Sequence, residues 1–281
     1  MAKAQTTALV DPAWLAARID DPKVKVIEIA VEKLDSYNAG HVPGAQAWIW
    51  KDKLWDARMR EFPSAKDFAA LCSAAGIGND TTVVFYGENV EFGYYGWWVF
   101  RYMGHSDVRM LDGGKKRWAA EGRALATAVP PAAAPTRYKT AARRRERMRA
   151  KLPQVLRSLK KKGVVILDNR SDLEFTGQSN NLPGKPDFGA ERYGRIPGAK
   201  QLHFVDLLNP DETMKSPAEI AKLARARGAA PNKQIICYCR RSHRAALVLF
   251  ALTELCGYKN VRSYDGSWTE WGTAVGVPIE R

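Results

Sequence analysis

Along the chain, short apolar runs alternate with longer segments whose apolar positions recur every three or four residues. Residues 25–30, 81–86, 108–111, 164–167 and 235–238 are rich in β-branched and other apolar side chains and read as strands, whereas residues 63–75 and 93–103 have helical spacing, the second unusually aromatic. Asp11 followed by Pro12 marks a helix start, because a carboxylate before the first turn accepts an otherwise unbonded amide and proline suits the first helical position. Thr82-Val83-Val84-Phe85 is β-prone throughout and suits a parallel strand covered on both faces. Strand and helix in alternation predict right-handed βαβ units, hence an α/β fold with helices on either side of a mainly parallel sheet.

This order of elements runs through twice. Gly40-His41-Val42-Pro43-Gly44-Ala45 returns as Gly194-Arg195-Ile196-Pro197-Gly198-Ala199, Tyr86 as Tyr238, and Asp112-Gly113-Gly114 as Asp265-Gly266-Ser267, at offsets of 152 to 154. Three matches at nearly the same offset mean an internal duplication. Domains are expected at residues 1–127 and 151–281, and a length of 281 residues lets each bury a core. Residues 126–135 are small and proline-rich, the composition of an extended linker, so 128–150 is assigned to a linker and basic arm.

The net charge of +14 invites a nucleic-acid reading. Yet residues 137–162 hold 12 basic residues and one acid, a surplus of 11 that leaves 3 for the rest of the chain. That segment lacks the interleaved aromatics of a base-stacking platform, so a solvated basic face is expected and a nucleic-acid partner is not. No run approaches the ~20 apolar residues of a membrane span, and the first ten residues carry no apolar leader core. Four cysteines in a chain this long make no disulfide framework, so a reducing, cytoplasmic setting is expected.

Candidate chemistry concentrates at residues 234–249. An apolar run ends at Cys239, Arg240-Arg241-Ser242-His243 follow, and from Arg244 the pattern turns helical. A strand, tight loop and helix put Cys239 where open α/β sheets bind ligands, facing a helix N-terminus whose amides and dipole favour an anion. Arg240, Arg241 and Arg244 add positive charge, and these surroundings depress a thiol pKa and make the sulfur a nucleophile. The plainer alternative is a buried strand thiol beside surface arginines, but three guanidinium groups so close repel one another unless an anion or solvent answers them. Cys237 shares a strand face with Cys239 by period two; a pair of cysteines is half a zinc site, so Cys237 is taken as a buried thiol, with no metal and no cofactor expected.

Cys239-Arg240-Arg241-Ser242-His243-Arg244 resembles the six-residue active-site loop of the rhodanese family, sulfurtransferases that carry sulfane sulfur on a cysteine. The two Gly-x-[Ile/Val]-Pro-Gly-Ala turns, the two Asp-Gly-[Gly/Ser]-x-x-x-Trp endings and the duplication extend the resemblance over nearly the whole chain. It implies two rhodanese-like three-layer α/β domains, the first catalytically silent because Gly87 aligns with Cys239. It implies a thiosulfate sulfurtransferase, in which Cys239 takes the outer sulfur of thiosulfate, releases sulfite and hands the sulfur to cyanide or a thiol acceptor. Arg240 and Arg241 are placed to hold the sulfonate oxygens, and Arg241 falls where thiosulfate-specific members are basic. Ser242, His243 and Arg244 complete the substrate-binding loop, with no catalytic part assigned to His243. Asp168 and Arg170 end the strand Val164-Val165-Ile166-Leu167 and are expected to brace the loop. Some members carry a substrate-binding basic residue four positions after that arginine, where this chain has Glu174.

Rival readings differ in testable ways. A dual-specificity phosphatase loop has five residues between Cys and Arg, whereas four intervene here. A 3-mercaptopyruvate sulfurtransferase has small uncharged residues after the Cys, whereas Arg240-Arg241 favour a doubly charged inorganic donor. A non-turnover persulfide carrier or interaction protein, docking through its basic arm, needs the same cysteine and differs in kinetics.

Overall fold

The computed structural model describes residues 8–141, 145–180 and 190–281. The chain divides into two compact units: one runs to Arg145 and includes Pro210–Met214, and the other comprises Glu146–Asn209 and Lys215–Arg281.

Each unit is built on five parallel strands with helices on the sheet faces. In the first, β1 (Leu9–Val10), β2 (Val24–Ala30), β3 (Gln46–Ile49), β4 (Thr82–Gly87) and β5 (Val108–Leu111) lie in the order β1-β5-β4-β2-β3. In the second, β6 (Arg149–Ala150), β7 (Val164–Asp168), β8 (Lys200–Gln201), β9 (Gln234–Tyr238) and β10 (Val261–Tyr264) lie in the order β6-β10-β9-β7-β8. The two orders are the same permutation, so the duplication visible in the sequence is a duplication of topology. Strand β4 and strand β9 sit at the centre of their sheets, and their residues 83–86 and 235–238 are fully buried, as runs apolar on both faces require.

Helix ends follow local chemistry. The Asp11 carboxylate accepts the Trp14 amide at 2.7 Å ahead of the helix Pro12–Ala16. Ser171 with Glu174 and Ser216 with Glu219 form reciprocal capping boxes at the helices Asp172–Phe175 and Pro217–Ala226. The helix expected over 63–75 runs Ala65–Ala74, and the aromatic helix begins earlier than its periodicity suggests, as Val90–Met103. Within it Gly93 packs directly on the β4 backbone: a Cβ there would lie 2.7 Å from the Tyr86 carbonyl carbon. Large aromatics fill both cores, Trp97, Trp98 and Phe100 in the first and Tyr238, Tyr264, Trp268 and Trp271 in the second. Each such ring contributes roughly 3 kcal/mol of burial.

The stretch assigned to linker and basic arm is tied down at residues 136–139. The amides of Thr136 and Tyr138 bond to Ser73, both at 3.0 Å, and Asn79 grips Lys139 from both sides at 2.7 and 2.9 Å. Beyond the unit boundary, Glu146–Met148 form a 3-10 turn and Arg149–Ala150 pair with β10 as an edge strand. Of the basic run, Arg143 and Arg144 lie outside the described residues, as do the first seven residues of the chain. Among the described residues no helix is long and apolar enough to cross a membrane.

Candidate active site

Strand β9 ends at Tyr238, and Cys239, Arg240, Arg241 and Ser242 turn the chain into the helix His243–Phe250, which continues as a π-helical turn over Ala251–Leu255. The reversal is made at Ser242, whose backbone is left-handed at φ 68°. Such a conformation costs a non-glycine residue about 1 kcal/mol or more and persists only when its surroundings hold it. Here the hold is a buried hydroxyl cluster: Ser242 Oγ donates to the Tyr264 carbonyl at 2.7 Å and lies 3.1 Å from Ser267 Oγ and 3.3 Å from Ser263 Oγ.

The loop backbone is fixed by the turn after β10. The Cys239 amide donates to Ser267 Oγ at 3.2 Å, and the Cys239 carbonyl accepts the Trp268 amide at 2.9 Å. The Arg240 carbonyl accepts both the amide and the hydroxyl of Thr269, at 3.2 and 2.8 Å. Peptide units here are trans, with C=O and N–H antiparallel, so the amides of Arg240 and Arg241 point away from the helix Ser267–Trp271. With the first-turn amides and dipole of His243–Phe250, they form an electropositive setting for an anionic sulfur. Cys239 itself is 1% exposed, whereas Arg240 and Arg241 are half-buried, so the sulfur is more sheltered than the two arginines that follow it.

Beneath the loop lies a buried brace. Tyr238 donates its hydroxyl to the Asp168 carboxylate, which also receives Arg170 Nε at 2.9 Å and Nη2 at 2.6 Å. Arg170 Nη2 reaches the Gly194 carbonyl at 2.7 Å, and the guanidinium carbon sits 4.5 Å over the Trp268 ring. Burial keeps the Tyr238 hydroxyl protonated far above its ordinary range, reinforced by the Asp168 charge, so it acts as a donor. Asp168 and Arg170 thus connect β7 to the residue before Cys239 and to the tryptophan that bonds the Cys239 carbonyl.

Two of the five residues expected to line the substrate are otherwise engaged. Ser242 is fully buried among the serines described above. Arg244 is 5% exposed and makes a bidentate pair with Glu174, Nη1 to Oε2 at 2.7 Å and Nη2 to Oε1 at 2.9 Å. Burial alone pushes the Glu174 carboxyl up, but the hydrogen bonds and charge of Arg244, with Arg170 and the Ser171 amide, hold it at about 2. The acidic residue that departs from the family pattern therefore has a partner in the loop itself. His243 opens the helix and is buried, and Arg240 and Arg241 remain as the partly exposed cations beside the sulfur.

The supporting residues Ser263 and Thr269 did not stand out in the sequence, and Glu174 stood out only as a departure from the family pattern, with no partner indicated. Ser267 and Thr269 fall inside the Asp-Gly-Ser-x-x-x-Trp ending, which marked the turn without revealing that it grips the loop. Cys237 is fully buried and burial pushes its thiol pKa up, which makes it inert. Among the described residues no cluster of three or more His, Cys, Asp or Glu side chains is placed to hold a metal ion.

Comparison with known proteins adds a lineage to this geometry. A family model described as Rhodanese-like domain matches residues 11–121 and again 152–274. The chain is 42% identical to the "Sulfur carrier protein TtuD" of Thermus thermophilus, over all of this chain and 99% of that one. It is 38% identical to a "Putative thiosulfate sulfurtransferase" of Mycolicibacterium smegmatis, over 99% of each. Among solved structures, the crystal structure of YnjE is similar with a TM-score of 0.85 at 28% identity, covering 98% of this chain and 69% of that one. The wild-type structure of EanB matches with the same TM-score and coverage at 23% identity, a likeness of fold.

Proposed function

Because the chain belongs to the rhodanese-like family in both of its halves, a family of sulfur-transferring domains, we propose that it is a thiosulfate sulfurtransferase working through a persulfide on Cys239. One observation carries the assignment. Of the four cysteines, Cys239 alone stands between the carboxyl end of a central strand and the N-terminus of a helix, with its loop carbonyls turned away and Arg240 and Arg241 at its side.

The Cys239 thiolate attacks the outer sulfur of thiosulfate; a new S–S bond forms, the old one breaks, and sulfite leaves with the bonding pair. Arg240 and Arg241 hold the sulfonate oxygens while negative charge moves onto them. Cyanide or an acceptor thiolate then attacks the outer sulfur of the persulfide, and the Cys239 thiolate is regenerated. Donor and acceptor occupy the same sulfur in turn, which gives ping-pong kinetics.

The relative named as a sulfur carrier, together with the shelter of Cys239, favours a second reading in which the persulfide is formed and held for a partner. One experiment separates the two. Purified protein is given thiosulfate with and without cyanide, and thiocyanate and intact mass are followed. Sustained thiocyanate formation supports the enzyme, and a gain of one sulfur atom without turnover supports the carrier. Cys239→Ser is expected to lose both signals, with turnover down at least about 10³-fold. Thiocyanate formation that survived Cys239→Ser would overturn both readings.

A further inference from the structure

The basic segment that the sulfur chemistry leaves unexplained lines a cleft. In the second unit, a space of about 430 Å³ is walled by the turn Glu146–Met148, strand β6, the start of the helix Leu152–Ser158 and one residue of β10, Arg262. Five of the lining side chains are cationic, Arg147, Arg149, Lys151, Arg157 and Arg262, against the single acid Glu146. Arg149 is neutralised by a buried ion pair with Asp265. Among the described residues no carboxylate lies within ion-pair distance of Arg147, Arg157 or Arg262.

Arg262 is the informative member. It reaches the cleft from the neighbouring strand rather than from the basic run, and its Nε is buried without a hydrogen-bond partner. A buried guanidinium N–H left unbonded costs about 1–3 kcal/mol, a penalty that an acceptor in the cleft removes. Guanidinium groups converging from different elements, with Glu146 the single carboxylate in the lining and Arg149 already paired to Asp265, repel one another until a multiply charged anion bridges them. The volume is that of a small-molecule site and exceeds what one tetrahedral ion needs.

We propose that this cleft binds a condensed phosphate chain, either free or as the tail of a nucleotide, at a site separate from Cys239. Phosphate oxygens spaced along such a chain match the forked donors of several arginines, and Pro153 adds an apolar residue to the lining. A solvated basic face would bind anions weakly and in simple order of charge; this cleft prefers a chain to separate ions of equal total charge.

The test is calorimetric titration of the full chain with tripolyphosphate, ATP and orthophosphate at low ionic strength. Tripolyphosphate is expected to bind at least about tenfold more tightly than orthophosphate. Arg147→Ala/Arg157→Ala, which changes only exposed side chains, is expected to weaken tripolyphosphate at least tenfold while thiocyanate formation from thiosulfate is unchanged. Arg262→Gln should weaken it comparably, and a circular dichroism spectrum matching the parent checks its fold. Equal binding of ATP and tripolyphosphate assigns recognition to the chain alone, and tighter ATP binding adds a contact to the nucleoside; either supports the site. Absence of binding at millimolar tripolyphosphate, or affinity unmoved in both variants, overturns the proposal. So does an RNA oligomer that binds more tightly than tripolyphosphate and is lost in the same variants, which would make the surface a nucleic-acid interface.

Discussion

The two units close the same central strand in opposite ways. In the second, three residues separate Cys239 from its helix, and a ring of serines holds the reversal. In the first, Gly87 is followed by only Glu88 and Asn89 before the helix Val90–Met103. A Cβ on Gly87 would sit 2.1 Å from the Asn89 carbonyl oxygen and 2.7 Å from the Gly93 amide nitrogen, both backbone atoms. The first loop therefore has no thiol where the second has Cys239 and also lacks room for one. It carries Glu88, whose carboxylate accepts the Val31 amide at 2.8 Å, where the second loop carries Arg240. The two loops thus differ in span, bracing and charge as well as in the cysteine.

The strongest way to break this comparison is to give the first loop its missing sulfur. Gly87→Cys is expected to destabilise the protein by about 4 kcal/mol or more, since the atoms in the way are backbone and cannot rotate aside. It should also gain no second sulfur on incubation with thiosulfate. Urea unfolding reads the first effect and intact mass the second. An unchanged midpoint with two sulfurs bound would show that the glycine, rather than the loop geometry, silences the first half.

Other features are shared by both units, which tells structural bracing from chemistry. Tyr86 hydroxyl accepts the Val42 amide at 3.1 Å, and Tyr238 hydroxyl accepts the Ile196 amide at 3.2 Å. Each tyrosine is paired in register with a buried acid, Glu28 on β2 and Asp168 on β7. Lys115 answers Glu28 at 3.3 Å, and Arg170 answers Asp168 at 2.6 Å. Since the first unit keeps this brace without a nucleophile, the brace supports the strand ends first and the active loop only through them. Asp168→Ala, which strands the buried Arg170 charge, is expected to cost about 3–4 kcal/mol in urea unfolding. Thiosulfate turnover measured at a temperature where the variant stays folded should fall through loop misplacement. Full activity in a destabilised variant would detach the brace from the site.

The helices that follow β2 and β7 differ in the same sense. Asp35–Ala39 has no side-chain cap, whereas Asp172–Phe175 is capped by Ser171 with Glu174, and Glu174 also binds Arg244. The Glu174 carboxyl is held at about 2, below its ordinary 4.5, so it contributes stability above pH 4.5 that is lost as pH falls toward 2. The difference is worth on the order of 3 kcal/mol. Glu174→Gln should be less stable at neutral pH by about 2–3 kcal/mol and should show a shallower loss between pH 4.5 and 2. Parallel stability curves for the two proteins over that range would remove Glu174 from the acid transition.

Much of this was legible in the residues themselves. Strands and helices with clear periodicity, the duplication and the Cys239 loop follow from local patterns and spacing, which the fold cannot alter. The pairing of Arg244 with Glu174 spans 70 positions, and the Ser242 to Ser263 contact spans 21. Such contacts depend on which strands become neighbours and on where a loop side chain turns, and a loop has no period to fix that direction. For this reason Arg244 and Ser242 looked like substrate ligands until their partners were in view. The grip on the Cys239 backbone was hidden for the same reason, since it comes from the turn after β10 and not from the loop's own sequence.

The smallest expected effect sharpens the comparison at the level of the donor. Asn89 in the first unit aligns with Arg241 in the second, so Arg241→Asn converts one charge of the Cys239 loop to the first loop's residue. The Arg240 carbonyl stays held by Thr269, and the loop path is expected to persist. Removing one half-buried guanidinium from a dianion should raise the KM for thiosulfate about tenfold, or ~1.4 kcal/mol, with kcat changed by less than about threefold. A 3-mercaptopyruvate donor, with one carboxylate in place of a sulfonate-like end, should lose less. Steady-state kinetics with both donors decides the matter: an equal loss with the two would mean that Arg241 acts through the thiolate and not through the donor's oxygens.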